Sequence, residues 1–197
     1  HQARSALANF ASNQGRLPWA DSDADGLENS GNTNGSFPYL TLQMAPTDAY
    51  TRVLHYELNA NLANNRSATC AALRSGLTAR PLVMDGDGAG TAFNVAVVLV
   101  SGGPLNADNN GNFFDAYNSG THQGNNNSGT PNYLRHVPVQ TFDDLTAYIG
   151  GNELFGQVCE YLNLAVNNAS GGTVYVYDLN RGSDLGSLTN GNSGLYA

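Results

Sequence analysis

The sequence predicts an α+β domain with long loops and additional helices, on three observations. Ala3, Ala6, Leu7, Phe10 and Ala11 recur at helical spacing and form one apolar stripe near the start. Val95, Ala96, Val97, Val98, Leu99 and Val100 form an unbroken apolar run, the pattern of a central strand buried on both faces. Helical patterns then return at 143–149 and 153–164, followed by a late alternating strand at 173–177.

In chain order, the first helix carries Arg4, Ser5, Asn9 and Gln14 on its other faces. Gly15 can cap it, and Pro18 forbids its continuation. Residues 29–36 are loop chemistry, Asn, Ser, Thr and Gly throughout. Residues 50–58 alternate as a strand, with Tyr50, Leu54, Tyr56 and Leu58 on one side and Val53, His55 and Glu57 on the other. Residues 68–77 predict a short helix stopped near Gly76, and residues 80–84 an extended run. The apolar strand of 92–101 breaks at Gly102-Gly103-Pro104, and the stretch 102–140 is a long polar loop region. A loop of that length inside a compact domain is functional or disordered. Asp143-Asp144 stands at the predicted start of a helix, where acidic side chains stabilise the N-terminus. The tail, 181–197, reads as irregular.

Two stretches carry oxygen ligands at a spacing that suits a hard cation. Asp21, Asp23 and Asp25 alternate before Gly26, which can take the sharp turn, and Glu28 can close the loop. The segment is not a complete EF-hand, because the twelfth position is Asn32 and no helix pattern follows. The second stretch offers Asp108, Asn110, Asn112 and Asp115 around Gly111. Each stretch reads either as a Ca2+ site or as a solvated acidic turn.

The length fits a single domain over 1–197 with a real core. The chain has a formal net charge of -8, and all 8 of its basic residues are Arg, scattered along it. Nucleic-acid binding therefore lacks its electrostatic footprint. Low charge with abundant Asn, Ser, Thr and Gly points to an exported or surface protein. The two cysteines, Cys70 and Cys159, would then form a disulfide worth about 2–4 kcal/mol; the alternative is two buried thiols. No apolar run is long enough to span a membrane. The sequence starts without Met and inside a helical pattern, which leads us to expect an upstream segment.

Three segments, in order, resemble the prepilin-type proteins, the type IV pilins and type II secretion pseudopilins. Arg16-Leu17-Pro18-Trp19-Ala20-Asp21-Ser22-Asp23-Ala24-Asp25-Gly26 is similar to the Arg-Leu-Pro-Cys-Pro-Asp-x-Asp-Gly-Asp-Gly segment of one minor-pilin-like branch, with Trp19 in place of Cys. Thr47-Asp48-Ala49-Tyr50, with Leu54 and Tyr56, is similar to its Thr-Asp-Ala-Trp-Gly-Asn-x-Leu-x-Tyr, with Thr51-Arg52 in place of Gly-Asn. Residues 95–103 are similar to its Val-Ala-Phe-Val-Leu-x-Ser-x-Gly strand. The resemblance covers about residues 1–115 and a helix at 142–155.

The resemblance implies an N-terminal helix packed on an antiparallel sheet, residues 1–15 being the remnant of a longer helix. It implies a minor or specialised filament subunit, anchored in the inner membrane through the absent N-terminal segment before assembly, then extracellular, periplasmic or at the cell surface. Its partners would be other pilin or pseudopilin subunits. Some pseudopilins bind Ca2+ in the loop after the central strand, by position the Asp108–Asp115 stretch here.

Other chemistry is poorly served. His1, His55, His122 and His136 form no zinc-spaced pair. Ser101-Gly102-Gly103 is not a nucleophile elbow, because position 99 is Leu. The expectation is a non-enzymatic structural subunit. The alternative is a surface adhesin whose long loops hold a glycan through Tyr, Trp19, Asn and Asp.

Overall fold

A computed structural model describes residues 2–86, 90–119, 122–159, 164–178, 183–189 and 193–196. Its contacts divide the chain into two compact units, His1–Cys159 and Glu160–Ala197, where the sequence reading expected one domain. The coarse class is as expected: α+β, with an N-terminal helix and antiparallel sheets.

In the larger unit, α1 (Gln2–Gln14) ends at Gly15, whose N–H returns to the Ala11 carbonyl at positive φ, 72°. The central sheet takes β1 (Asn34–Ser36), β2 (His55–Leu58), β5 (Val97–Ser101) and β9 (Leu145–Ile149) in the order β1-β2-β5-β9. Every pairing in it is antiparallel. Between its strands come α2 (Arg66–Ser75), β3 (Leu82–Asp85), β4 (Ala92–Asn94), β6 (Ala116–Ser119), β7 (His122–Asn125) and β8 (Tyr133–Arg135). The unit closes with α3 (Gly151–Val158).

The apolar run of β5 is explained by what lies on each side of it. Val97 and Leu99 join the main core with Leu7 and Ala11 of α1, Tyr56 and Leu58 of β2, Ile149 of β9 and Leu154 of α3. Val98 and Val100 point the other way, into a second cluster with Val83 of β3 and Tyr133 of β8. Helices thus cover one face of the central sheet, and a small sheet of order β4-β3-β8 covers the other. Cys70 of α2 and Cys159, which caps α3, are joined as the expected disulfide.

Several expectations are corrected. Residues 145–149 are a strand, not a helix. Leu145, Tyr148 and Ile149 fit helical spacing, but Ile149 faces the helix-side core while Tyr148 faces the small sheet, so period 2 prevails once the segment pairs with β5. The helix predicted over 153–164 is α3 and ends at Val158; Leu164 already begins a strand, β10 (Leu164–Asn167). The strand predicted over 50–58 is only β2. Before it, the Asp48 carboxylate accepts the Tyr50 and Arg52 N–H groups, and Thr51 takes a positive φ of 65°. The apolar strand of 92–101 is divided. The Val95 N–H turns to the Pro81 carbonyl and the Ala96 N–H to Ile149, so the chain changes sheets there. The 102–140 region holds a β6-β7 hairpin and β8, which runs parallel to β3.

In the smaller unit, β10 (Leu164–Asn167) pairs with β13 (Ser193–Tyr196), and β11 (Val174–Asp178) with β12 (Ser183–Leu188), both antiparallel. The late strand of the sequence reading is therefore present as β11. The tail expected to be irregular supplies its partner and a further strand.

Candidate metal centre

Two groups of three carboxylates each lie with their ligand atoms within 4.8 Å of one another: Asp21, Asp23 and Asp25; and Asp115, Asp143 and Asp144. They differ in what already holds their oxygens.

In the first group Asp21 is buried, and both its carboxylate oxygens accept N–H groups of its own turn. Oδ1 accepts the Asp23 and Ala24 N–H groups at 3.1 and 2.8 Å, and Oδ2 accepts that of Gly26 at 2.8 Å. Asp25 caps Leu27 in the same way. Glu28 does not close the loop. Both its oxygens take the Arg16 guanidinium at 2.7 Å, and one also accepts the Trp19 N–H. Burial alone would raise the Glu28 carboxyl, yet the Arg16 hydrogen bonds and charge, with the Trp19 N–H, hold it below its ordinary value. Gly26 is required here: it has φ 86°, and a Cβ would lie 2.4 Å from the Tyr39 ring.

The second expected ligand set is split. Asp108, Asn110 and Asn112 form a ladder of side-chain turns in which Asp108 Oδ1 accepts the Asn110 N–H, Asn110 Oδ1 that of Asn112, and Asn112 Oδ1 that of Phe114. Asp115 turns inward instead and meets Asp143 and Asp144, the doublet just before β9.

These three carboxylates sit at the neck of the β5–β9 insertion. Asp115 and Asp144 are completely buried and Asp143 is 8% exposed. Asp115 Oδ1 accepts the Ala107 and Asp108 N–H groups, and its Oδ2 accepts that of Asp143 at 2.8 Å. Asp144 Oδ2 accepts the Asp115 N–H at 2.8 Å, and Asp143 Oδ2 accepts that of Leu105 at 2.8 Å. One oxygen on each of the last two, Asp143 Oδ1 and Asp144 Oδ1, is buried with no hydrogen-bond partner among the described residues. Burial first, and then the charges of Asp115 and Asp143, push the Asp144 carboxyl up to about 8, against the Asp115 N–H and the Asn126 amide.

Asp143 and Asp144 are not among the residues the sequence offers as candidate ligands, because their doublet reads there as the start of a helix. A correct strand assignment for 145–149 would have placed an acidic doublet at the end of a central strand, beside the insertion it closes.

A third polar cluster is complete in itself. The Glu57 carboxylate accepts the Tyr133 hydroxyl, the Asn34 amide at 3.0 Å and the Arg80 guanidinium at 3.0 and 3.1 Å. His55 Nε2 lies 2.8 Å from the Tyr133 hydroxyl, and burial lowers the His55 pKa to about 4 although Glu57 opposes this. This cluster ties the central sheet to the small sheet. Beyond these clusters, an open groove of about 1010 Å³ runs past the first turn of α1, over Leu99 and Ala147, with Phe37, Tyr50 and Glu153 at its sides.

No protein-family model, curated protein or solved structure matches the chain.

Proposed function

We propose that this chain is the head of a structural filament subunit of pilin or pseudopilin type, exported to an oxidising compartment. The observation that carries the reading is the seating of α1. Leu7 and Ala11 are fully buried against the helix-side core of an all-antiparallel central sheet, with Ala3, Ala6 and Phe10 packed at its margin. That is the arrangement the motif order implies, and it leaves the Gln2, Ser5, Asn9 and Ser12 side of α1 facing outward, uncharged and free of bulky apolar groups. The Cys70–Cys159 bond agrees with export, since such bonds persist outside reducing compartments. The role is structural, not catalytic. Partners are sister subunits met through α1, and the membrane is engaged by an apolar segment ahead of His1.

The test is the coding sequence upstream of His1, with immunogold labelling of cells that make the protein. A basic leader and an apolar run of about 20 residues continuous with α1, with label along filaments, is the expected result. An upstream sequence with no apolar run, or label confined to the cell surface, overturns the reading. Glycan-array binding by the same protein would then favour an adhesin using the groove beside Tyr50.

A further inference from the structure

We propose that His122 and His136 bind one zinc ion, which ties the β6–β7 hairpin to the end of β8. Three observations converge on it. First, the fold brings together two histidines that stand 14 positions apart, outside any local zinc spacing. The Asn125 N–H reaches the Asn132 carbonyl, the Asn132 amide donates to the Gln123 carbonyl at 2.8 Å, and the Asn126 side chain bonds both the N–H and the carbonyl of Leu134. The approach is this close because position 124 is Gly: a Cβ there would lie 2.6 Å from the Leu134 Cβ. His122 stands two residues before Gly124 and His136 two residues after Leu134, so the side-chain period of two sets them on one face. Their ring centres are 5.6 Å apart, with planes at 61°. Second, His136 is oriented as a ligand. Its Nδ1 lies 2.7 Å from the Val137 carbonyl, which can only accept, so Nδ1 carries the proton and Nε2 of the neutral ring keeps the lone pair. A backbone carbonyl on the far nitrogen is a usual support of a metal-bound imidazole. Third, the ring is held in place. Tyr117 and the fully buried Phe142 flank it, with ring centres 5.1 and 6.3 Å away, and Gly86 makes room, since a Cβ there would lie 2.6 Å from His136 Cδ2.

The donors and their separation identify the ion. Imidazole nitrogens suit zinc, copper and nickel rather than hard cations such as calcium or magnesium. With a metal–nitrogen bond of about 2.0–2.1 Å, each ring centre stands about 3.2 Å from the ion, and the 5.6 Å between centres then opens about 120° there. That angle is near the tetrahedral arrangement of zinc and far from the right angles of square-planar copper or nickel. Both histidines are half-buried, so water can reach the ion and fill its remaining positions. The chain's formal net charge of -8 favours the approach of any cation. The inference does not depend on the filament reading, and either can fail without the other.

The experiment uses the whole chain, made without a histidine tag, stripped with EDTA, desalted and titrated with Zn2+ alone, read by calorimetry and thermal unfolding. We expect one Zn2+ per chain and a rise in Tm of about 3–5 °C at about ten times the Kd. His122→Asn and His136→Asn should each weaken binding by about tenfold or more, while His55→Gln and Asp144→Asn keep it. Melting of each variant in EDTA shows whether it folds. Where a variant melts lower than the parent chain, labelling of the parent decides. Zn2+, and not Ca2+, should protect His122 and His136 from diethyl pyrocarbonate, located by peptide mass, and leave His1 reactive. Absence of Zn2+ binding by the parent chain overturns the proposal. Binding that survives both His122→Asn and His136→Asn, or protection that falls on other histidines, also overturns it.

Discussion

The loop of Asp21, Asp23 and Asp25 and the centre of Asp115, Asp143 and Asp144 have the same composition and opposite electrostatics. In the first, Asp21 receives three backbone N–H groups, and the neighbouring Glu28 receives Arg16. In the second, backbone N–H groups satisfy only part of the oxygen, and no cation arrives from the protein itself among the described residues. The carboxyls shift accordingly: Glu28 lies below its ordinary value, and Asp144 is pushed up to about 8. Alternate spacing of acidic residues therefore says little about ligation. What decides is how many oxygens remain after the local turn has taken its share.

The sharpest way to break this comparison is to remove each region's central carboxylate. Asp21→Ala strands three N–H groups in a buried turn and should cost on the order of 3 kcal/mol, measured by denaturant unfolding. The loss should be equal with calcium and with EDTA. A loss that appears only with calcium present would make the first loop a ligand site after all.

The second prediction concerns pH in EDTA. Asp144 has a folded pKa near 8 against an ordinary 3.8, so the folded chain holds more protons than the unfolded chain between those values. Its contribution to stability is therefore lost as pH rises from about 4 to about 8. Asp144→Asn should flatten that part of the pH–stability curve, and an unchanged slope would show that burial does not burden this carboxylate. His55 acts in the other direction. Its folded pKa of about 4 lies below the ordinary 6.5, so stability falls as pH drops through that window and levels off below it. His55→Gln should remove that acid-side loss.

Smaller effects refine the picture. Arg16→Ala breaks a half-buried two-point pair with Glu28 and should cost about 1–2 kcal/mol, with no dependence on calcium. Asp23→Ala removes an exposed side chain and should change stability by no more than about 0.5 kcal/mol. A larger loss there would mean that Asp23 has a partner beyond its own loop.

Much of the fold was legible from local pattern. The stripe of Ala3, Leu7 and Ala11 gave α1, Gly15 its end, the valine run the strand buried on both faces, and Gly76 the end of α2. Export chemistry pointed to the pairing of Cys70 with Cys159. Residues 145–149 were not legible, because five residues carry too little periodicity to separate a helix from a strand that only β5 can claim. The break at Val95-Ala96 was equally hidden, since an apolar run looks the same whether it serves one sheet or two.

Of the acidic centre, only Asp115 was visible in advance. Which carboxylates meet depends on bringing residue 115 beside residues 143 and 144, and the strand pairing of β9 with β5 does that. Short-range chemistry such as caps, turns and side-chain period is written in neighbouring residues, because each is settled within a few positions of the chain. Which carboxylate oxygens are left bare is settled only when distant segments close on each other and exclude water.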